Sequence, residues 1–96
     1  MNERKRPVIG IYEKALPAGL DWAGMLDTAR RADYDYVEMS VDESDDRLAR
    51  LDWSPAARAE FRRTVADSGL RVPSICLSGH RKYPFGSADG ETRRRA

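Results

Sequence analysis

Three short apolar runs alternate along the chain with longer segments in which apolar residues recur at helical spacing. The runs occupy residues 8–12, 34–39 and 72–77, and each is rich in β-branched or aromatic residues. Turn-forming residues bound them, which predicts three β-strands, the first of them buried. Apolar strands that alternate with amphipathic helices predict an α/β fold, in which parallel strands are joined by right-handed helical crossovers.

The helices between these strands are marked by their capping residues. Asp21 is a suitable N-cap for a first helix whose apolar stripe extends to Ala32. Ser54 followed by Pro55 marks the start of a second helix, because serine caps the free amides and proline fits the first helical position. Gly69 fits the left-handed conformation that commonly ends a helix, which predicts the end of the second one.

The segment 42–46 is strongly acidic and is expected to form an exposed loop. Leu48 and Leu51 indicate one helical turn after it. A calcium loop starting at Asp42 is excluded by its pattern, because Arg47 stands where glycine is needed and Trp53 where glutamate is needed.

A third helix is predicted within 88–96, with Ser87 as its N-cap, although the polar composition of this segment also allows disorder. No apolar stripe develops there. Three strands also leave an open sheet edge, which a larger protein would cover. We therefore expect the sequence to be the first part of a larger protein.

Composition and charge limit the classes of function. Ninety-six residues make one domain at most, so 1–96 is treated as one partial domain. A composition of 41% hydrophobic and 34% charged residues predicts a soluble globular chain. The net charge of +1 disfavours nucleic acid as a partner, because it provides no field that attracts a polyanion. The basic start, 1–6, lacks the long apolar run of a signal peptide, and no segment has the roughly 18 apolar residues that would imply a membrane partner.

The cysteine and histidine counts bear on compartment and metal binding. A single cysteine excludes an internal disulfide, and with a single histidine it also excludes a Cys/His zinc site. These counts fit a protein of the reducing cytoplasm.

Three motifs carry a resemblance to a known family: GIYEKALP at 10–17, YVEMSVDESDDRLARLDWS at 36–54 and RVPSICLSGHRKYPFGS at 71–87. Together they resemble the N-terminal third of the L-ribulose-5-phosphate 3-epimerases, also described as L-xylulose-5-phosphate 3-epimerases or hexulose-6-phosphate isomerases, of the xylose-isomerase-like barrel superfamily. The resemblance implies a (β/α)8 TIM barrel of about 250 residues, of which this sequence holds the N-terminal βαβαβ portion. The sequence departs from the family pattern at Asp33 and Tyr34, where Gly-Phe is usual, and at Gly79, where alanine is usual.

The resemblance implies C3 epimerisation of L-ribulose 5-phosphate and L-xylulose 5-phosphate through a metal-stabilised enediolate. It also implies a divalent cation, Mn, Mg or Zn, held by two Glu, one Asp and one His of later strands. On this basis the present chain contains no catalytic residue and no metal ligand, and we expect it to be inactive alone. A homodimer is a further possibility for the full-length protein.

The resemblance and the strand ends together suggest a set of substrate-binding residues, because barrel active sites lie at the carboxyl ends of the strands. Tyr12 is expected to wall the sugar pocket and Lys14 to attract the phosphate. Glu38 either binds sugar hydroxyls or forms a structural salt bridge. His80 and Arg81 follow the third strand and are expected to contact the sugar phosphate.

For Glu13 and Lys14, the favoured alternative is an ordinary solvated pair in a loop. For the whole chain, three alternatives stay open: a free-ketose 3-epimerase or another barrel enzyme of this superfamily, an abasic-site endonuclease, and a non-catalytic truncated fragment. The acidic segment and the net charge of +1 speak against the endonuclease.

Overall fold

A computed structural model describes residues 7–96, and the basic start of the chain, 1–6, lies outside them. All three predicted strands are present, as β1 (Gly10–Tyr12), β2 (Tyr36–Val41) and β3 (Ile75–Leu77). They form a parallel sheet in the order β1-β2-β3, so each strand lies beside its neighbour in the chain. This confirms the predicted α/β fold, an open parallel sheet consistent with the N-terminal portion of a TIM barrel.

Helices and short turns connect these strands. None of the helices in the described residues has both the length and the apolar character needed to cross a membrane. Each strand is followed, directly or after a few residues, by helical turns at its carboxyl end. The α-helices are α1 (Trp22–Arg31), α2 (Asp45–Leu48), α3 (Pro55–Ser68) and α4 (Gly90–Arg95), and the 3-10 turns are Glu13–Ala15, Ala49–Asp52 and Ser78–Arg81.

The capping residues read from the sequence set the predicted limits of α1 and α3. The Asp21 carboxylate accepts a hydrogen bond from the Gly24 amide at 2.8 Å, and the Ser54 hydroxyl accepts one from the Ala57 amide at 3.1 Å. Gly69 ends α3 with a φ of 79°, in the left-handed region. These three predictions are confirmed, because each depends on residues only a few positions apart.

Four predicted strand limits were wrong. The first strand begins at Gly10 rather than at 8, and the second ends at Val41 rather than at 39. The second strand begins at Tyr36 rather than at 34, because the amide of Tyr34 donates to the carbonyl of Ala29 and closes the end of α1. The third strand begins at Ile75 rather than at 72. Pro73 has no amide hydrogen to donate to a ladder, so continuous pairing starts only after it.

The prediction for the last helix was wrong at its N-cap. Asp89, not Ser87, caps α4, and its carboxylate accepts a hydrogen bond from the Thr92 amide at 2.9 Å. The Ser87 hydroxyl instead accepts one from the amide of Asp89 itself, at 3.1 Å. The serine therefore orders the turn that precedes the helix.

The apolar core lies between β2 and α1. Leu26 and Ala29 of α1 and Val37 of β2 are fully buried there. Helix α3 packs beside α1, with the rings of Trp22 and Phe61 edge to face at 5.0 Å between centroids. The core therefore covers one face of β1 and β2 and fixes the ends of both strands.

The first strand, which was expected to be buried, is only partly buried, and the third strand is exposed on one face. Ile75 is 57% exposed and Leu77 is 43% exposed. Both point to the helix side of the sheet, since they are paired in register with the buried Met39 and Val41. In the part of the chain that the structure describes, no further strand pairs with β3.

Asp33, one of the departures from the family pattern, occupies a left-handed turn after α1. Its φ is 68°, a conformation that glycine adopts freely and that costs other residues roughly 1 kcal/mol. The backbone therefore explains why glycine is usual at this position.

We predict that Asp33→Gly raises the free energy of unfolding by about 0.5–1 kcal/mol, because it removes this strain at some cost in chain entropy. Urea denaturation of the chain measures the change. The matched control is the exposed Glu60→Gly in the interior of α3, which should lower the free energy of unfolding by about 0.5–1 kcal/mol. A destabilising effect of Asp33→Gly would contradict this account.

Candidate functional site

Charged residues meet at the edge of the sheet where β1 and β2 end. Glu13 and Lys14 lie in the 3-10 turn that follows β1, and Asp42 directly follows β2. Arg47 and Arg50 reach this edge from α2 and from the 3-10 turn after it. We call these five residues the rim cluster. It connects the first two motifs on which the family resemblance rests.

Glu13 is the buried centre of the rim cluster, with only 3% of its surface exposed. Arg50 donates to both of its carboxylate oxygens, at 2.6 and 2.7 Å, and the Ser40 amide donates to one of them at 2.9 Å. Arg50 also donates to the Ser40 carbonyl at 2.8 Å and lies over the Trp22 ring, 5.2 Å from its centroid. The interpretation of Glu13 as an ordinary solvated residue was therefore wrong, because it joins both strand ends to the helical turn after β2.

Asp42 forms the second half of the rim cluster. One of its oxygens accepts from Lys14 at 2.9 Å and from Arg47 at 3.2 Å. The other accepts from the amide and the hydroxyl of Ser44, at 2.9 and 2.6 Å. Asp42 is 4% exposed, so the predicted exposed loop 42–46 was wrong at its first residue. It was also wrong at its last two residues, which are exposed but begin α2.

Hydrogen bonds and charge hold both carboxylates ionised. For Glu13, burial alone opposes ionisation, but the hydrogen bonds from Arg50 and the Ser40 amide outweigh it and lower the pKa. For Asp42, the Ser44 hydroxyl and then Lys14 hold the pKa of the carboxyl well below its usual range. Asp42 in turn raises the pKa of Lys14, because it accepts a hydrogen bond from the Lys14 ammonium group. Glu13, Lys14 and Asp42 are thus charged at neutral pH.

The candidate residues Tyr12 and Glu38 lie side by side on the face of the sheet opposite the core. They are partners in the register of β1 and β2, so their side chains share one face. The Tyr12 hydroxyl donates to Ser40 Oγ at 3.0 Å, and Glu38 accepts from the Ser74 hydroxyl at 3.0 Å. The described partner of Glu38 is thus a hydroxyl rather than the arginine or lysine of a structural salt bridge.

His80 and Arg81 lie in the turn after β3, apart from the other candidates. His80 Nε2 is 3.1 Å from the Ala96 carbonyl oxygen, and its ring packs against Phe85 at 4.4 Å between centroids. Arg81 donates to Glu43 at 3.2 Å. Among the described contacts, neither residue touches Tyr12, Lys14 or Glu38. The structure thus brings three of the five candidates to the ends of β1 and β2 and places the other two beyond β3.

The described residues by themselves do not fit a divalent cation. Within 7–96, no three His, Cys, Asp or Glu side chains lie close enough together to hold a metal. Glu13 and Asp42, the two buried carboxylates, are already occupied by arginine and lysine donors. Any metal ligand set would have to include residues outside this part of the chain.

The residues that hydrogen-bond to Glu13 and Lys14, and those that bond to Asp42, were not predicted from the sequence as parts of a site. These residues hold the candidates in place, although none was singled out for chemistry. One signal was available: Arg47 and Arg50 are three positions apart in a helical segment, which places both on one face. The missed residues are Ser40, Asp42, Ser44, Arg47 and Arg50.

Several known proteins are similar to this chain in sequence. A family model described as xylose isomerase-like TIM barrel matches residues 26–96. The chain is similar to the L-ribulose-5-phosphate 3-epimerase UlaE of Escherichia coli strain SMS-3-5, with 53% identity over 89 residues. It is also similar to the proteins of that name from Salmonella heidelberg strain SL476 and from Escherichia fergusonii, at 54% and 53% identity over 89 residues. Each match covers 93% of this chain and 31% of the relative, so the chain spans about a third of the length of these curated relatives.

We predict that Arg50→Met lowers the free energy of unfolding by about 3 kcal/mol, because it leaves the buried Glu13 carboxylate without its main partner. Urea denaturation followed by tryptophan fluorescence measures the loss. The matched control is Arg31→Met, which removes an exposed pair with Asp27 and should cost less than about 0.5 kcal/mol. The double variant Glu13→Gln with Arg50→Met should recover part of the loss, and equal effects of the two arginine variants would contradict the prediction.

We predict that the chain loses stability in acid through the rim cluster. A carboxylate whose pKa falls on folding contributes stability above its unfolded pKa and loses it as the pH falls through the folded value. The free energy of unfolding should therefore decrease as the pH falls below about 4, close to the ordinary values of 4.5 for Glu13 and 3.8 for Asp42. Urea denaturation at about pH 7 and about pH 3 tests this.

Asp42→Asn should reduce that acid-induced loss by about 1 kcal/mol, since the variant has no carboxylate to protonate. Asp45→Asn is the control, because the exposed Asp45 carboxylate has no described hydrogen-bond partner. An Asp42→Asn variant with the full wild-type dependence on pH would show that another group is responsible.

Proposed function

Because this chain belongs to the xylose isomerase-like TIM barrel family, we propose that it supplies the first three strands of a sugar-phosphate epimerase. The similarity to L-ribulose-5-phosphate 3-epimerases over nearly all of its length is the observation that carries this proposal. The parallel strands support it, because their carboxyl ends meet at one edge, where barrel enzymes bind their substrates.

The proposed reaction inverts the configuration at C3 of L-ribulose 5-phosphate and gives L-xylulose 5-phosphate. The C3 proton leaves while its bonding electrons move into the neighbouring C2 carbonyl, and a proton returns to C3 on the opposite face. The acid and base for these transfers, and the ligands of the divalent cation that the resemblance implies, would come from outside residues 7–96. The described residues then act in substrate binding.

Three of the candidate residues have surroundings suited to binding a sugar phosphate. Lys14 is a cation at the rim whose side chain is 39% exposed, so a phosphate dianion has access to it. Tyr12 and Glu38 present a hydroxyl and a carboxylate on one face of the sheet. Both side chains form hydrogen bonds with hydroxyl groups, those of Ser40 and Ser74. In this proposal they bind sugar hydroxyls.

His80 and Arg81 are proposed as contacts to the outer part of the same ligand. The side chain of Arg81 is 66% exposed, and among the described residues its ion-pair partner is Glu43 at the surface. Such exposed pairs contribute little free energy, so a phosphorylated ligand competes for the guanidinium at low cost.

A chimera tests the function directly. The 89-residue segment of the Escherichia coli relative that aligns with this chain is replaced by the sequence of this chain. We expect the chimera to interconvert L-ribulose 5-phosphate and L-xylulose 5-phosphate, measured by NMR of the products, and the chain alone to give no turnover. A folded chimera without turnover, or turnover by the chain alone, would contradict the proposal.

Lys14→Met in the chimera tests the phosphate contact. We expect kcat/KM for L-ribulose 5-phosphate to fall about tenfold to a hundredfold, the range for a lost charged hydrogen bond. Turnover of unphosphorylated L-ribulose should change little. Lys82→Met, a lysine near the same rim that contacts Tyr83, is the matched control, and an equal loss in both variants would contradict a specific role of Lys14.

A further inference from the structure

The rim cluster borders a cavity of about 510 Å³ between the turn after β1 and the start of α2. Its polar lining consists of three cations, Lys14, Arg47 and Arg50, two carboxylates, Glu13 and Asp46, and Ser44, so positive charge exceeds negative charge by one. Asp42 is not part of the lining and lies behind Lys14 and Arg47, with its side chain only 6% exposed. A ligand in the cavity therefore has access to Lys14 and Arg47, whereas the Asp42 carboxylate that pairs with them is buried.

Asp42 accepts four hydrogen bonds, whereas Lys14 donates one among the described contacts. Among the described contacts, the Lys14 ammonium has one hydrogen-bond partner, Asp42 Oδ2. That same oxygen also accepts from Arg47, while Oδ1 accepts twice from Ser44. If Lys14 turns towards the cavity, both oxygens of Asp42 keep a donor. The exchange therefore leaves no buried charge without a partner.

The cavity wall also contains a donor that is not used. Arg47 Nε is buried and has no hydrogen-bond acceptor among the described residues, and the nearest charged oxygen is Glu13 Oε2 at 3.6 Å. Arg50 differs, since its guanidinium is occupied by Glu13 and the Ser40 carbonyl. Lys14 is thus the cation of the lining that is able to change its partner, while Arg47 has a spare donor and keeps its hydrogen bond to Asp42.

We propose that this cavity binds the phosphate group of a phosphate monoester, and that Asp42 competes with that group for Lys14. In the free protein, Lys14 is hydrogen-bonded to Asp42. When the phosphate dianion binds, Lys14 donates to the phosphate instead, and Asp42 keeps its hydrogen bonds from Arg47 and Ser44. Asp42 is then a specificity-determining residue, because a weaker anion cannot displace it. The inference rests on the proposed function only for the identity of the ligand as a sugar phosphate.

The test is a titration of the 96-residue chain with inorganic phosphate at constant ionic strength, followed by NMR. Asp42→Asn should tighten phosphate binding about threefold to fivefold, the amount that a partly exposed ion pair is worth. Lys14→Met should weaken it about tenfold or more. Asp45→Asn, which removes the same charge from the same segment, is the matched control and should leave the affinity unchanged.

A double-variant cycle separates competition from a structural role of Asp42. The gain from Asp42→Asn should disappear in the Lys14→Met background, because no lysine is left to release. Weaker or unchanged binding by Asp42→Asn, a gain that persists without Lys14, or no phosphate binding by the wild-type chain would each overturn the proposal.

A second measurement needs no variant. In the wild-type chain, saturation with phosphate should shift the 13Cγ resonance of Asp42, because this carboxylate loses one donor. Phosphate binding that leaves the resonance in place would also overturn the proposal. Neither measurement involves turnover, so an inactive chimera would refute the epimerase function while leaving this result standing.

Discussion

The structure depends on the burial of one carboxylate, that of Glu13, at the end of the first strand. A buried carboxylate without a partner costs several kcal/mol, so the fold has to deliver a cation and an amide to it. Arg50 supplies the cation from a position 37 residues later in the chain, and β2 supplies the Ser40 amide. The helical segment after β2 must therefore fold back over the end of β1. This single requirement brings the first two strand ends and their turns into one fixed arrangement.

The sequence predicts those parts of the fold that depend on neighbouring residues. The caps at Asp21, Ser54 and Gly69 were predicted because a capping side chain or a left-handed glycine acts within a few positions of the chain. The limits of β2 and β3 were not, since strand limits depend on which distant backbone groups pair. The exposure of Ile75 could not be predicted for a related reason. An apolar strand indicates that burial is possible, but burial requires an element that packs against it.

The candidate site divides in the same way. Lys14 was found because a cation after a strand is visible locally, whereas its partner Asp42 is 28 residues away. Glu13 was expected to be solvated, since a glutamate in a polar turn usually is. The sequence did contain one signal that the prediction did not use. Arg47 and Arg50 are three positions apart in a helical segment and therefore lie on one face of it. Two cations on one face, close after a strand, require acidic partners, and that requirement points back to the end of β1.

The charged residues of the rim cluster differ in burial and in the number of their hydrogen bonds, and these differences give them two roles, one structural and one in ligand binding. Glu13 and Arg50 use their hydrogen-bonding groups on each other and on Ser40, so neither can change partner without leaving a buried charge unpaired. Lys14 has one strong bond, to an acceptor that keeps other donors, and more than a third of its side chain is exposed. The fixed Glu13 and the exchangeable Lys14 are neighbours on the same short turn, and together they satisfy two opposing demands. The fixed pair makes the position of the turn independent of ligand, and the lysine can then respond to a ligand without disturbing the strands.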